Sequence, residues 1–287
     1  MNDLMVAVLV ALELADQELA DEDPGAMLPE RYPALPSGSR LNRRVDVVRD
    51  MLGDSEGLVA SMAIPHVLSI HQRGLTAMLK ALRDDGRLIT VWRTTEDSPE
   101  DPVEVEVEPV RVPLGELHDA LARACNSGEV FPAPELSAFH FARDLRNRLV
   151  HGGGLAGSGV KDAWAHARGK GTQANGQKLW TNLAGRAFKP VKAAEPLALG
   201  APEVRATLAV CKRLYDTAET ASLGVLSAEQ LGRLVLDEYL QRFPQRGRLS
   251  SPKLARKVTG FREREHPRLT LLSTEVFEDL LAAQRGS

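Results

Sequence analysis

The sequence predicts a mainly α-helical fold that carries a small antiparallel β insertion and a helical C-terminal extension. Three observations lead there. Apolar residues recur at helical spacing through most of the chain. Alternating, β-branched text is confined to about 87–112. The last sixty residues open on helix-start signals rather than on strand or linker text.

Taken in order, residues 3–22 place Leu4, Val8, Ala11, Leu12 and Ala15 on one helical face. The stretch 23–40 holds Pro24, Pro29, Pro33 and Pro36, which marks a long connection. A second helical region runs from about Arg44 to Leu82, expected to break near Gly53 and to bend at Pro65. Its apolar set includes Val59, Met62, Ala63, Leu68, Leu75, Met78, Leu79 and Leu82, and Asp84-Asp85-Gly86 stops it. Leu88–Thr94, the alternating run from Val103 and Val110-Arg-Val read as strands around an acidic turn at 96–102. Helix returns over Leu114–Cys125 and Glu135–His151, the latter ended by Gly152, Gly153 and Gly154. Residues 155–198 read as a basic loop with a hairpin near Ala187–Leu199, followed by a helix over Pro202–Ala221. Beyond 225, Ser227-Ala-Glu-Gln230 is a capping-box pattern. Ser251-Pro252 starts another helix, and a short one closes the chain near Glu275–Ala283.

The composition narrows the function classes. With 287 residues, 43% of them hydrophobic and 26% charged, the chain is an ordinary globular one that needs no covalent staples. Cys125 and Cys211 are the only cysteines and form no CxxC, so neither a disulfide scaffold nor a cysteine zinc site is expected. That usage fits a reducing, cytoplasmic setting. The apolar run Met5–Leu14 is interrupted by Glu13 and has no basic flank, so it reads as a buried helix start rather than a signal peptide or span.

A net charge of −3 advertises no polyanionic partner for the whole surface. The distribution is uneven, however. The first thirty residues hold eight acids and no Lys or Arg, whereas nine cations from Arg242 to Arg268 face only Glu263 and Glu265. Such asymmetry belongs to a polyanion-binding tail or to two solvated faces that attract each other.

One segment carries chemistry, Phe139-His-Phe-Ala-Arg-Asp-Leu-Arg-Asn-Arg-Leu-Val-His151 followed by three glycines. At 100° per residue, His140, Asn147 and His151 line one helical face, with Arg143 within about 60° of it. Phe141, Ala142, Leu145 and Leu149 form the opposite, core-facing stripe. Arg146 borders the two and lies roughly 140° from His151, so a long side chain, local unwinding or a second subunit must bring the pair to one substrate.

Imidazole titrates near neutrality and suits proton transfer at a ribose 2′-hydroxyl or a leaving 5′-oxygen. A guanidinium fork matches phosphate geometry and the charge that builds on phosphorus. This inventory lacks the carboxylate cluster of a Mg²⁺ nuclease and implies neither metal nor cofactor. A purely structural reading is also available. In it Asp144 pairs with Arg148 at i, i+4, His151 meets the helix dipole and the glycines form a plain cap.

Arg146-Asn-Arg-Leu-Val-His151 resembles the Arg-polar-x-x-x-His signature of the HEPN superfamily, helical proteins that include many RNA-cleaving toxins and antiviral effectors. The resemblance covers about a dozen residues and implies a four- or five-helix bundle. In that family two protomers share one cleft and cleave RNA through a 2′,3′-cyclic phosphate without metal. It assigns Arg146, Asn147 and His151 to catalysis, with Arg143 and His140 as auxiliary candidates.

On this reading residues 1–225 form the HEPN-like domain, including the β insertion and the 155–198 loop, and 226–287 form a basic helical extension. Lys170, Lys178, Lys253, Arg256 and Lys257 are candidate RNA contacts. The expected partners are RNA, a second copy of the chain and an antitoxin or defence-complex protein, with no membrane. The competing expectation is a non-catalytic HEPN-like scaffold that binds nucleotide, RNA or protein.

Other motifs carry less. His66 and His71 lie five apart with no third ligand and read as solvated helix residues. Gly169-Lys-Gly-Thr lacks the phosphate-loop pattern. Trp164, His166, Arg168, Lys170, Lys178 and Trp180 form a basic stretch with aromatic punctuation, suited either to stacking bases or to anchoring a surface loop.

Overall fold

The computed structural model describes residues 11–12, 14–31, 43–95, 98–126, 130–151, 154–155, 157–167, 175–188, 195–267 and 269–286. Among the described residues the chain is mainly helical with one two-stranded antiparallel sheet, as its periodicity predicts. After a helical stretch at 14–20 and a single turn at Leu28–Arg31, the elements are α1 (Val45–Asp84), β1 (Thr90–Thr95), β2 (Ser98–Glu106), α2 (Leu117–Ala124) and α3 (Ala133–His151). There follow α4 (Ser158–His166), α5 (Gly176–Ala184), α6 (Ala201–Leu223), α7 (Ala228–Arg242), α8 (Ser251–Glu265) and α9 (Thr274–Gly286). The chain divides into two compact units, Met1–Gly74 with Phe131–Asp216, and Leu75–Val130 with Thr217–Ser287.

In the first unit α1 runs unbroken through both Gly53 and Pro65. The expected break is absent because Ala60, Ala63, Ile64 and Leu68, all essentially buried, hold the turns around the proline in register. Burial of Ile64 and Leu68, at about 1.5–3 kcal/mol each, offsets the roughly 3 kcal/mol that an internal proline costs a helix. Gly74 is needed on α1 for a different reason. A Cβ there would lie 2.5 Å from Cε2 of Tyr215, so the helix approaches the phenol ring only without a side chain. Gly74→Ala is expected to destabilise the protein by about 1–3 kcal/mol, read as a lowered urea midpoint.

The segment expected to be loop at 155–198 contains α4 and α5. Asn175 caps α5, its side chain accepting from the Lys178 amide at 2.9 Å, and Gly185 leaves the helix with φ 76°. No hairpin forms in the described part of Ala187–Leu199; Leu155 and Pro196 make one isolated bridge instead, and residues 189–194 lie outside the described residues. Beneath α3, the Phe141 ring meets Trp164, Trp180 and Phe188 with centroids 4.8–4.9 Å apart. Glu56 and the buried Glu203 occupy the start of α6, accepting from the Ala201 and Gly200 amides at 2.6 and 2.8 Å, and Arg186 pairs with Glu203 at 2.8 Å. That N-terminus is therefore closed to an external anion.

In the second unit β1 pairs with β2 in the register Val91↔Val105 and Trp92↔Glu104. Pro109–Arg111 is a 3₁₀ turn rather than a third strand, since proline at its start presets the turn. The tail follows its punctuation closely. Ser227 Oγ accepts from the Gln230 amide at 3.2 Å, and Pro252 sits in the first turn of α8. Leu231, Leu236, Tyr239, Leu254, Val258, Phe261, Phe277 and Leu280 close one core between α7, α8 and α9. Among the described residues no helix is long and apolar enough to cross a membrane.

Candidate active site

α3 presents the predicted motif on a helix that stays regular as far as His151. Its buried side is Ala138, Phe139, Phe141, Ala142 and Leu145, so the expected stripe holds except that Phe139 joins it and Leu149 is only half-buried. The opposite side carries half-buried Arg143 with Asn147 and His151 exposed, and Arg146, also half-buried, sits at the border between the two sides. Arg146 Nη1 donates to Asn147 Oδ1 at 3.1 Å, which sets the guanidinium beside the amide. The helix ends where the glycine run begins. Gly154 adopts φ 76° and its amide returns to the Arg148 carbonyl at 3.1 Å, while Gly152 and Gly153 lie outside the described residues.

Two of the three routes for joining Arg146 to His151 now remain. The turn between them is not unwound, which leaves the length of the Arg146 side chain or a second subunit as the ways to bring the two groups together. The ion pair expected by the structural reading is replaced by another. Asp144 meets Arg143 at 3.4 Å, and Arg148 lies instead against Gly157, where a Cβ would collide with its guanidinium. No carboxylate is paired with Arg146 or His151 among the described residues.

No family model, curated protein or solved structure matches this chain.

The remaining candidates separate. His140 is half-buried on α3 and sits edge-on to Phe139 at 5.9 Å. Lys178 is exposed on α5, in the same unit as α3. Lys170 lies outside the described residues. Lys253, Arg256 and Lys257 are exposed on α8, in the other unit. Trp180 is fully buried and Trp164 half-buried around Phe141, so these indoles anchor α4 and α5 and are not free to stack bases. Burial pushes the Cys211 thiol up to about 12 and raises Cys125 as well, which leaves neither as a nucleophile. Among the described residues no group of three His, Cys, Asp or Glu could hold a metal.

His71, expected to be solvated, is 4% exposed and packs on Phe139 at 5.3 Å. Its position, seven after Ile64 and four before Leu75, puts it on the buried stripe of α1. Burial pulls the imidazole down from 6.5 to about 4, so the folded state favours the neutral ring. This contribution to stability is complete above about pH 6.5 and is lost progressively towards pH 4, at about 1.4 kcal/mol per pH unit within that window. Urea titrations at pH 6.5 and 5 should differ by about 2 kcal/mol, and the difference should vanish in His71→Gln.

Proposed function

We infer that the chain is a metal-independent endoribonuclease of the HEPN type, acting as a toxin or antiphage effector in the cytoplasm. The observation that carries it is the α3 surface, where Arg146 and Asn147 are hydrogen-bonded side by side and His151 is exposed at the glycine stop. His151 takes the proton of a ribose 2′-hydroxyl as O2′ bonds to phosphorus. The P–O5′ bond then breaks, and the leaving 5′-oxygen receives a proton. In a two-fold dimer the two copies of His151 supply the base and the acid. Arg146 neutralises the charge on the phosphoryl oxygens in the transition state, and Asn147 orients the guanidinium. Arg143 and His140 are auxiliary, and Lys178 lies on the same unit for backbone phosphate.

Every function in this scheme is held by a cation, an amide or an imidazole, so cleavage should proceed unchanged in excess EDTA. Incubating purified protein with structured RNA, with and without chelator, tests this; loss of cleavage on chelation contradicts the mechanism. A non-catalytic scaffold that binds RNA or a partner protein would leave RNA intact under both conditions.

A further inference from the structure

We propose that the exposed face of α8 is a docking surface for double-stranded nucleic acid, gripping the phosphate backbone without reading bases. Lys253, Arg256, Lys257 and Arg264 are all exposed and fall within an arc of about 100° on the helix. They span about 16 Å along its axis.

Among the described side chains of the tail, the other cations are committed elsewhere. Arg233 pairs with Glu229 at 2.5 Å, Arg242 with Glu238 at 2.7 Å and Glu265 at 3.4 Å, and Arg246 bonds the Tyr239 hydroxyl at 3.2 Å. Glu263 meets Arg262 at 3.6 Å at the border of the arc. The four stripe cations have no carboxylate partner among the described residues, and Arg256 reaches only the Pro252 carbonyl, at 3.3 Å. A solvated helix face of ordinary kind interleaves both signs; this one does not.

The rest of α8 decides the kind of polyanion. Leu254, Ala255, Val258 and Phe261 are no more than 3% exposed, so the helix has no apolar face left for a bilayer or an apolar protein groove. Tyr239, Phe261 and Phe277 are buried and Phe243 is half-buried, so the tail helices themselves present no exposed Phe or Tyr ring to stack an unpaired base. What remains is phosphate contact alone, which suits a duplex.

Gly260 lies at the centre of the stripe, and nothing stands within 4 Å of where its Cβ would be. Internal packing does not require it, unlike Gly232, where a Cβ would fall 2.6 Å from Leu280 Cδ1. A helix-interior glycine costs about 0.5–1 kcal/mol relative to alanine. Here it leaves the middle of the basic face flat enough for a sugar-phosphate strand to lie against it.

This inference does not rest on the α3 cleavage chemistry, because none of Arg146, Asn147 or His151 takes part in it and α8 lies in the other unit. The test is fluorescence anisotropy of the full chain with a 20-base-pair DNA duplex, an RNA duplex and a single strand of equal length. All are measured in His151→Ala protein so that cleavage does not interfere. Four phosphate contacts predict a log–log salt slope near −3.6, or about a 100-fold loss of affinity between 50 and 200 mM salt. Equal affinity for the two duplexes and weaker binding of the single strand are expected.

Lys253→Gln, Arg256→Gln, Lys257→Gln and Arg264→Gln together should flatten the slope, with an unchanged melting temperature confirming the fold. Lys257→Gln alone should reduce it by about one unit. Gly260→Leu should weaken binding with the charge intact. The proposal is overturned by an unchanged slope in the folded quadruple variant, by equal or tighter binding of the single strand, by a more than tenfold preference between the duplexes, or by poly-glutamate competing as well as duplex.

Discussion

His151→Ala is expected to lower the rate of RNA cleavage by roughly 10²–10⁴-fold, the range that a positioned general acid–base contributes. The substitution should leave stability nearly unchanged. His151 is exposed at the last turn of α3 and belongs to no buried contact, so its loss opens no cavity. Arg146→Ala should fall in the same range, and Arg146→Lys should not restore the rate, because a single ammonium cannot present the planar fork to two phosphoryl oxygens. Asn147→Ala is expected to act through Arg146, whose Nη1 loses the acceptor at 3.1 Å. The signature of such a positioning role is a raised KM and a reduced kcat that the Asn147→Asp variant partly rescues at the Arg146 hydrogen bond. Circular dichroism on each variant separates lost chemistry from lost fold.

Phe141→Ala carries the largest expected effect on stability, about 3–5 kcal/mol. The Phe141 side chain is fully buried and its ring touches Trp164, Trp180 and Phe188, so deletion empties the centre of the packing that seats α4 and α5 under α3. Domains hold only about 5–15 kcal/mol in total. The urea midpoint should therefore drop sharply, with tryptophan emission shifting red as Trp180, fully buried in the wild type, becomes exposed. Phe141→Leu, which keeps most of the volume, should recover more than half of the loss. A small change in the midpoint would show that α4 and α5 are held by other contacts.

Much of the candidate site was legible because it lies on one helix. The 3.6-residue period separates Phe141, Ala142 and Leu145 from Asn147 and His151, and the glycine run marks where α3 stops. The capping serine at 227 and Pro252 were legible for the same local reason. The misread elements involve competition between local and tertiary terms. Gly53 is a breaker by propensity, yet α1 runs through it, and it runs through Pro65 with Ala63, Ile64 and Leu68 buried around the proline.

α4 and α5 are each nine residues long and set among glycines and lysines, too short for a clear period. The polarity of His71 suggests a solvated residue, whereas its spacing from Ile64, Leu68 and Leu75 puts it on the buried stripe. The Arg146–Asn147 contact and the Arg143–Asp144 pair were not legible, since neighbours i and i+1 do not face each other on a regular helix and meet only through their side-chain rotamers.

The central claim is that Arg146, Asn147 and His151 on α3 cleave RNA by internal attack of the 2′-hydroxyl. Identifying the ends of RNA fragments released in EDTA tests it most directly. The account predicts 2′,3′-cyclic phosphate and 5′-hydroxyl termini from wild-type protein and no fragments from His151→Ala. Fragments bearing 5′-phosphate ends, or equal cleavage by the His151 variant, would contradict it.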